Sequence, residues 1–301
     1  MRAEALMGTV VTIDAVGVER DAAIDRAFEW VRLVEETCTR FDPRSELCQL
    51  TTRPGAAVPV SRLLFEAIRF AIGVADASDG AFDPTIGAVL QHRGFDREHR
   101  TGQPAPVMAE ASARVSFRDV AIDEAARTVT LRRPLLLDLG AVAKGLAVDL
   151  AARELATLRD FAIDAGGDLY LGGTNHEGEA WSIGIRHPRR PGECIAAVRV
   201  SDGAICTSGD YERPGSASLA RPAPQAPAEH HIIDPRTGLS PSAIASVTVL
   251  APSAMLADAM ATTAFVLGPH QGRAWLERMG VEGLLVTGAL ELIPTRGWPD
   301  A

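Results

Sequence analysis

The chain has 301 residues, 47% hydrophobic and 23% charged, enough apolar material for a large core and too much for a disordered segment. Its formal net charge of -9, from 30 Lys and Arg against 39 Asp and Glu, argues against a general nucleic-acid surface, so any anion site must be built locally. The four cysteines form no C-x-x-C pair and no zinc-like grouping with the seven histidines, so they read as mostly buried thiols.

At the start, Asp14 interrupts MGTVVTIDAVGV and no cationic segment leads into an unbroken apolar run. The first cysteine, Cys38, lies in a polar stretch. No export signal, lipoprotein site or membrane span is read here. As written, the product is expected in the cytoplasm; if the true start lies upstream, it is expected in the periplasm or anchored to a membrane.

Residues 9–16 alternate like a strand, and residues 21–37 repeat Ile24, Phe28, Val31 and Val34 at helical spacing. FDPRSEL reads as a turn. From Ser61, a good N-cap, Leu64, Ile68, Ile72 and Ala75 form an apolar stripe that ends before Gly80, which predicts a second helix. Residues 114–139 read as short strands, RVSF, VAID, TVTL and LLLDL, with DEAA as one tight connection. A helix over 142–155 follows, then strands in FAIDAGGDLYLGG, WSIGIRH, CIAAVRVSDGAIC and IASVTVLA. Residues 214–228 read as a mobile surface loop, 254–267 and 270–279 as helices, and GLLVTGALELIP as a closing hairpin. The expected class is α+β, with mixed or antiparallel sheets flanked by helices in one merged unit over residues 1–301.

The segment LLLDLGAVAKGLAVDLAARELA carries the most chemistry. It reads as a buried strand, a turn at Gly140 and a helix with Lys144 in its first turn. Free N–H groups and the positive dipole end of such a helix attract a phosphate, although a solvated lysine near a helix start is the plainer alternative. The order Lys144-Gly145-Leu146 is not a Walker loop, and no G-x-G-x-x-G fingerprint is present. Downstream, Asp258 and Thr262 stand four apart, so on a helix both oxygens face one way and suit a hard cation such as Mg2+. Acidic residues also favour helix starts, and Thr can bond back to its own helix. In HHIIDPRTG, a neutral His231 suits a general base near neutrality, although a lone histidine is usually structural, and Asp234 either orients the ring or caps the turn. GAFDPTIG reads as a proline turn with Phe82 anchored in the core, and AICTSGDYER either as an ordinary bend or as backbone N–H groups exposed to a ligand.

Taken in order, MGT at Met7, TRFDPRSEL, GAFDPT, LDLGAVAKG, DAGGDLYLGG, TSGDYER, HHIIDPRTG and ADAMATTAFVLG resemble the ApbE family of FAD:protein FMN transferases over nearly the whole chain. The resemblance implies an enzyme that splits FAD, releases AMP and attaches FMN to a Thr or Ser of a target flavoprotein, with Mg2+ required. It implies an FAD site lined by Met7, Phe41, Ala81, Phe82, Asp83, Asp138, Lys144 and the backbone around Ile232. Asp258, Thr262 and the carbonyl of Ala141 become the implied metal ligands, and His231 the base that activates the acceptor hydroxyl. Two rival readings use the same residues: a Mg2+-dependent FAD pyrophosphatase giving FMN and AMP, and an FAD-binding protein without turnover.

Overall fold

The computed structural model describes residues 1–17, 19–97, 102, 104–105, 115–212 and 229–299. The chain opens with a hairpin of β1 (Arg2–Leu6) and β2 (Thr9–Ala15), joined by Met7 and Gly8 at φ 53° and 72°. Two consecutive positive-φ residues give a two-residue turn whose twist matches the strands it joins. Along β2, Val11, Ile13 and Ala15 are buried and their neighbours are not, the period-two pattern of a strand with one face on the core.

β6 (Phe161–Ala165), β7 (Asp168–Gly172), β10 (Gly203–Gly209), β11 (Ile244–Ala251), β12 (Glu282–Thr287) and β13 (Leu292–Pro294) complete this sheet. Its order is β1-β2-β6-β7-β10-β11-β12-β13, antiparallel throughout. β3 (Ala57–Pro59), β4 (Val120–Asp123) and β5 (Thr128–Leu131) form a small antiparallel sheet, and β8 (Trp181–Arg186) with β9 (Cys194–Val200) another. The expected α+β class stands, with antiparallel sheets among the described residues.

Helix α1 (Arg20–Cys38) turns Ile24, Ala27, Phe28, Val31 and Val34 inward and packs on α5 (Gly140–Leu155). Each such fully buried large side chain contributes about 1.5–3 kcal/mol relative to exposure. α5 lies on β6 and β7, and beside it α6 (Ala254–Met279) lies on β10, β11 and β12. β11 is buried at nearly every position: α6 covers one face, and Leu250 packs on the other into a second apolar cluster with Val198, Val200 and Ile205. α3 (Arg62–Ala77) starts as expected, with the Ser61 hydroxyl accepting from Leu64 N–H at 3.2 Å.

Three local readings need correction. FDPRSEL is a turn only as far as Ser45, whose hydroxyl accepts from Cys48 N–H at 3.0 Å and starts α2 (Glu46–Thr51). LLLDL is buried but is not a sheet strand. Its one bridge is Ile86 with Leu136, flanked by Gly87 N–H to Leu136 carbonyl and Asp138 N–H to Pro84 carbonyl. Proline has no N–H to extend such a ladder, and α4 (Gly87–His92) begins immediately after it. In RVSF, Arg114 lies outside the described residues, and Phe117 opens a short 3-10 turn instead of a strand. The loop reading of 214–228 also falls outside the described residues. The two helices read at 254–267 and 270–279 are both present within α6, separated by a break at Gly268, φ 80° and ψ -178°, just before Pro269.

Candidate active site

A buried charge persists only with partners, and the partners found here assemble the site. Lys144, in the opening turns of α5, donates to the Asp168 carboxylate at the start of β7. Burial alone disfavours its ammonium, but Asp168, Asp258 and Glu212 outweigh that and hold its pKa above the ordinary lysine range. Asp258 on α6 is only 5% exposed. Burial pushes its pKa well above the usual carboxylate value, the nearby Asp168 adds to the rise, and Lys144 opposes it. One cation, in contact with Asp168, thus lies in the field of three carboxylates. Asp168 Oδ1 and Asp258 Oδ2 are buried and find no donor among the described residues.

Next to this cluster, Thr262 Oγ1 lies 3.0 Å from Ser208 Oγ near the end of β10. The spacing of Asp258 and Thr262 on α6 therefore brings a carboxylate and a hydroxyl to the strand ends that carry Asp168 and Ser208. Ala141, one turn before Lys144, departs from helical geometry at φ -91° and ψ 15°. A helical ψ is near -42°, so its carbonyl is rotated out of line with the helix axis. The N–H of Gly140 is already taken by Asp138 Oδ1 at 2.8 Å, so Asp138 occupies the first helix donor that the sequence offered to a phosphate.

Close backbone approach holds the two helices in register. A Cβ on Gly145 would lie 2.4 Å from the Ala254 carbonyl oxygen. The buried Asp149 accepts from Ala254 N–H at 2.7 Å and Met255 N–H at 3.0 Å, satisfying donors that α6 cannot satisfy itself. Ser253 adds the cap on Leu256 N–H.

The remaining segments gather around the start of α5. Arg40 donates to Asp138 Oδ2 at 2.5 Å, and Asp138 N–H reaches Pro84, so TRFD, GAFDPT and LDLGA meet at one residue. Phe41 is half-buried beneath the Arg40 guanidinium. Ala81 and Phe82 are buried in the core. Both Asp83 oxygens hold the turn: Oδ1 accepts from Thr85 N–H and hydroxyl at 2.8 and 2.7 Å, Oδ2 from Phe117 N–H at 2.9 Å. Met7 N–H donates to Glu35 at 2.7 Å. Two residues on, Thr9 fills the space beside Gly166, where a Cβ would lie 2.2 Å from its Oγ1. MGT and DAGG are thereby neighbours.

His231 lies in the loop before β11, and its neighbour His230 seats that loop on α6. The His230 ring meets Phe265 edge-on at 5.4 Å, and its Nε2 is 2.9 Å from the Pro241 carbonyl oxygen. Phe265 follows Thr262 by three residues, under one helical turn. Ile232 is buried in the core. Asp234 caps the turn that follows: its side chain pairs with Arg236, and its backbone closes the turn to Leu239. A cavity of about 620 Å³ lies elsewhere, lined by Arg153, Arg159, Phe161 and Tyr170 toward the far end of α5, and holds none of Lys144, Asp168, Asp258 or His231.

Asp168, Ser208, Glu212 and Arg40 were given no role from sequence, although each stands in a block singled out above. Their type and spacing carry no period that tells which side chain faces inward.

The chain is similar to known proteins in sequence and in fold. The sequence profile of the ApbE family matches residues 7–285. The FAD:protein FMN transferase of Treponema pallidum is 33% identical over 95% of this chain and 83% of its own length. That of Haemophilus influenzae is 34% identical over 79% of this chain and 68% of its own. Among solved structures, the ApbE protein of Thermotoga maritima superposes with a TM-score of 0.85 at 26% identity, covering 98% of this chain and 96% of that one.

Proposed function

The chain belongs to the ApbE family, and we propose that it transfers the FMN moiety of FAD to a hydroxyl of a target flavoprotein and releases AMP. The observation that carries the reading is the buried junction of Lys144, Asp168 and Asp258, with Thr262 and Ser208 beside it. A pyrophosphate cut in two needs its charge neutralised as the bond to AMP breaks. A buried ammonium whose pKa is held high stays charged at any working pH and serves that need.

The donor set also fits a hard divalent cation. Among the described residues, no three His, Cys, Asp or Glu side chains group as a metal cluster. Mg2+ asks for less, since one or two carboxylates with neutral oxygens, water and substrate phosphate suffice. The buried Asp258 Oδ2 without a donor supplies the carboxylate, Thr262 the hydroxyl and Ala141 a carbonyl turned out of the helix. When bound, Mg2+ supplies charge neutralisation at the phosphates.

In the reaction, the acceptor oxygen forms a bond to the FMN phosphorus while the bond from that phosphorus to the AMP oxygen breaks. The hydroxyl proton passes to a base, the role assigned to His231, and AMP departs with the electron pair. An imidazole suits this near neutrality. A Thr or Ser is the acceptor this chemistry fits, because an alcohol is a weak nucleophile that gains from a positioned base.

The test incubates the protein with FAD, Mg2+ and an acceptor domain, then denatures the mixture. Flavin fluorescence that stays with the acceptor, and is lost when its Thr or Ser is replaced by Ala, is the expected result. Free FMN with an unlabelled acceptor would make the protein a pyrophosphatase instead, and FAD recovered intact would make it a binding protein.

A further inference from the structure

Arg40 stands where three segments of the site join, and the contacts among them leave part of its chemistry unused. It is 6% exposed. Nε donates to Asp138 Oδ2 at 2.5 Å, and Nη2 donates to the Phe95 carbonyl at 2.6 Å. The guanidinium carbon sits 4.3 Å from the centroid of the Phe41 ring. Nη1 is buried and finds no acceptor among the described residues.

This leaves a specific chemical demand. A buried lysine or histidine can relieve an unmet donor by losing its proton, but a guanidinium does not titrate in a protein. An unpaired donor on a buried cation is costly, and only an acceptor removes the cost. Arg40 is also fixed in direction, since two of its nitrogens are held by separate partners and its face is covered by Phe41. Arg44, four residues on in the same block, shows the opposite behaviour: its side chain is 89% exposed and pairs locally with Asp42.

The two side chains that Arg40 touches, Phe41 and Asp138, are both residues read as lining the FAD site, and the inference rests on that reading. FAD is rich in acceptors, in its phosphates, ribose oxygens, ring nitrogens and flavin carbonyls. We propose that Arg40 binds the dinucleotide directly, with Nη1 donating to an acceptor atom of FAD while Nε and Nη2 hold the guanidinium in place. Lysine cannot substitute, because one ammonium does not reach Asp138 and the residue 95 carbonyl while aiming a third donor elsewhere.

The experiment measures FAD affinity of the full chain by flavin fluorescence, without Mg2+ and without acceptor, for wild type, Arg40→Lys and Arg40→Gln, alongside their unfolding midpoints. A variant that melts like wild type is expected to bind FAD about 10- to 100-fold more weakly, the range for a lost hydrogen bond to a charged group. Wild-type affinity in such a variant overturns the proposal. If both variants melt early, a crystal structure of the wild type with FAD decides: an FAD atom within hydrogen-bond distance of Nη1 supports it, and a water or protein acceptor there overturns it. Wild-type protein that binds no FAD contradicts the functional reading itself, a result distinct from either of these.

Discussion

His230 and His231 are adjacent, yet the structure gives them different work. His230 is buried against Phe265, and burial lowers its pKa below the ordinary imidazole value. The folded state therefore favours its neutral form. Stability from this source is fully present above the unfolded pKa, about 6.5, and is lost as pH falls below it toward the folded value. The stability advantage of wild type over His230→Gln should accordingly shrink between pH 7 and pH 5, read as the difference in urea midpoints; an advantage that grows on acidification would contradict the assignment. His231, half-buried in the same loop, is the proposed base. His231→Ala should bind FAD with near wild-type affinity while transfer falls by about 10²–10⁴-fold, the usual contribution of a general base. Fluorescence titration and single-turnover labelling separate the two effects, and full transfer activity would remove His231 from the mechanism.

At the scale of elements, the site depends on how α5 and α6 touch. Asp149 reaches from α5 to the first donors of α6, and removing such a cap costs about 1–2 kcal/mol. Asp149→Ala should lower the free energy of unfolding by that much or more in a denaturant titration, and an unchanged midpoint would show that water replaces the carboxylate. Gly145 has no room for a side chain beside Ala254. Gly145→Val should destabilise by about 1–3 kcal/mol through overpacking and should weaken Mg2+ dependence by moving Asp258 relative to Lys144; unaltered Mg2+ titration would mean that the helices do not set the site. The period of each helix was legible in the sequence, and so was the shared face of Asp258 and Thr262, because 3.6-residue spacing is a local property. The partners of Lys144 were not legible. Asp168 is 24 residues away on a strand and Asp258 lies on another helix, and no local rule selects among the acidic residues of a chain. LLLDL misled for a related reason: a buried apolar run looks the same whether its backbone pairs with a strand or with a proline turn.

Over the whole molecule, the sheet order carries the function. β7 and β10 are neighbours in the middle of the eight-stranded sheet, which sets Asp168 opposite Cys206, two residues before Ser208, under α5 and α6. A hydrophobic core continuous from Leu6 to Leu285 fixes that arrangement. The α+β class was readable from alternating and helical periods, whereas the strand order was not, since β2 pairs with β6 across some 150 residues of intervening chain. Transfer couples two products, AMP and flavin bound to protein. A single-turnover experiment that counts both, with FAD limiting and acceptor in excess, tests it most directly. One AMP should be released for each FMN that remains covalently attached to the acceptor after denaturation; AMP released with an equal amount of free FMN would rule out transfer.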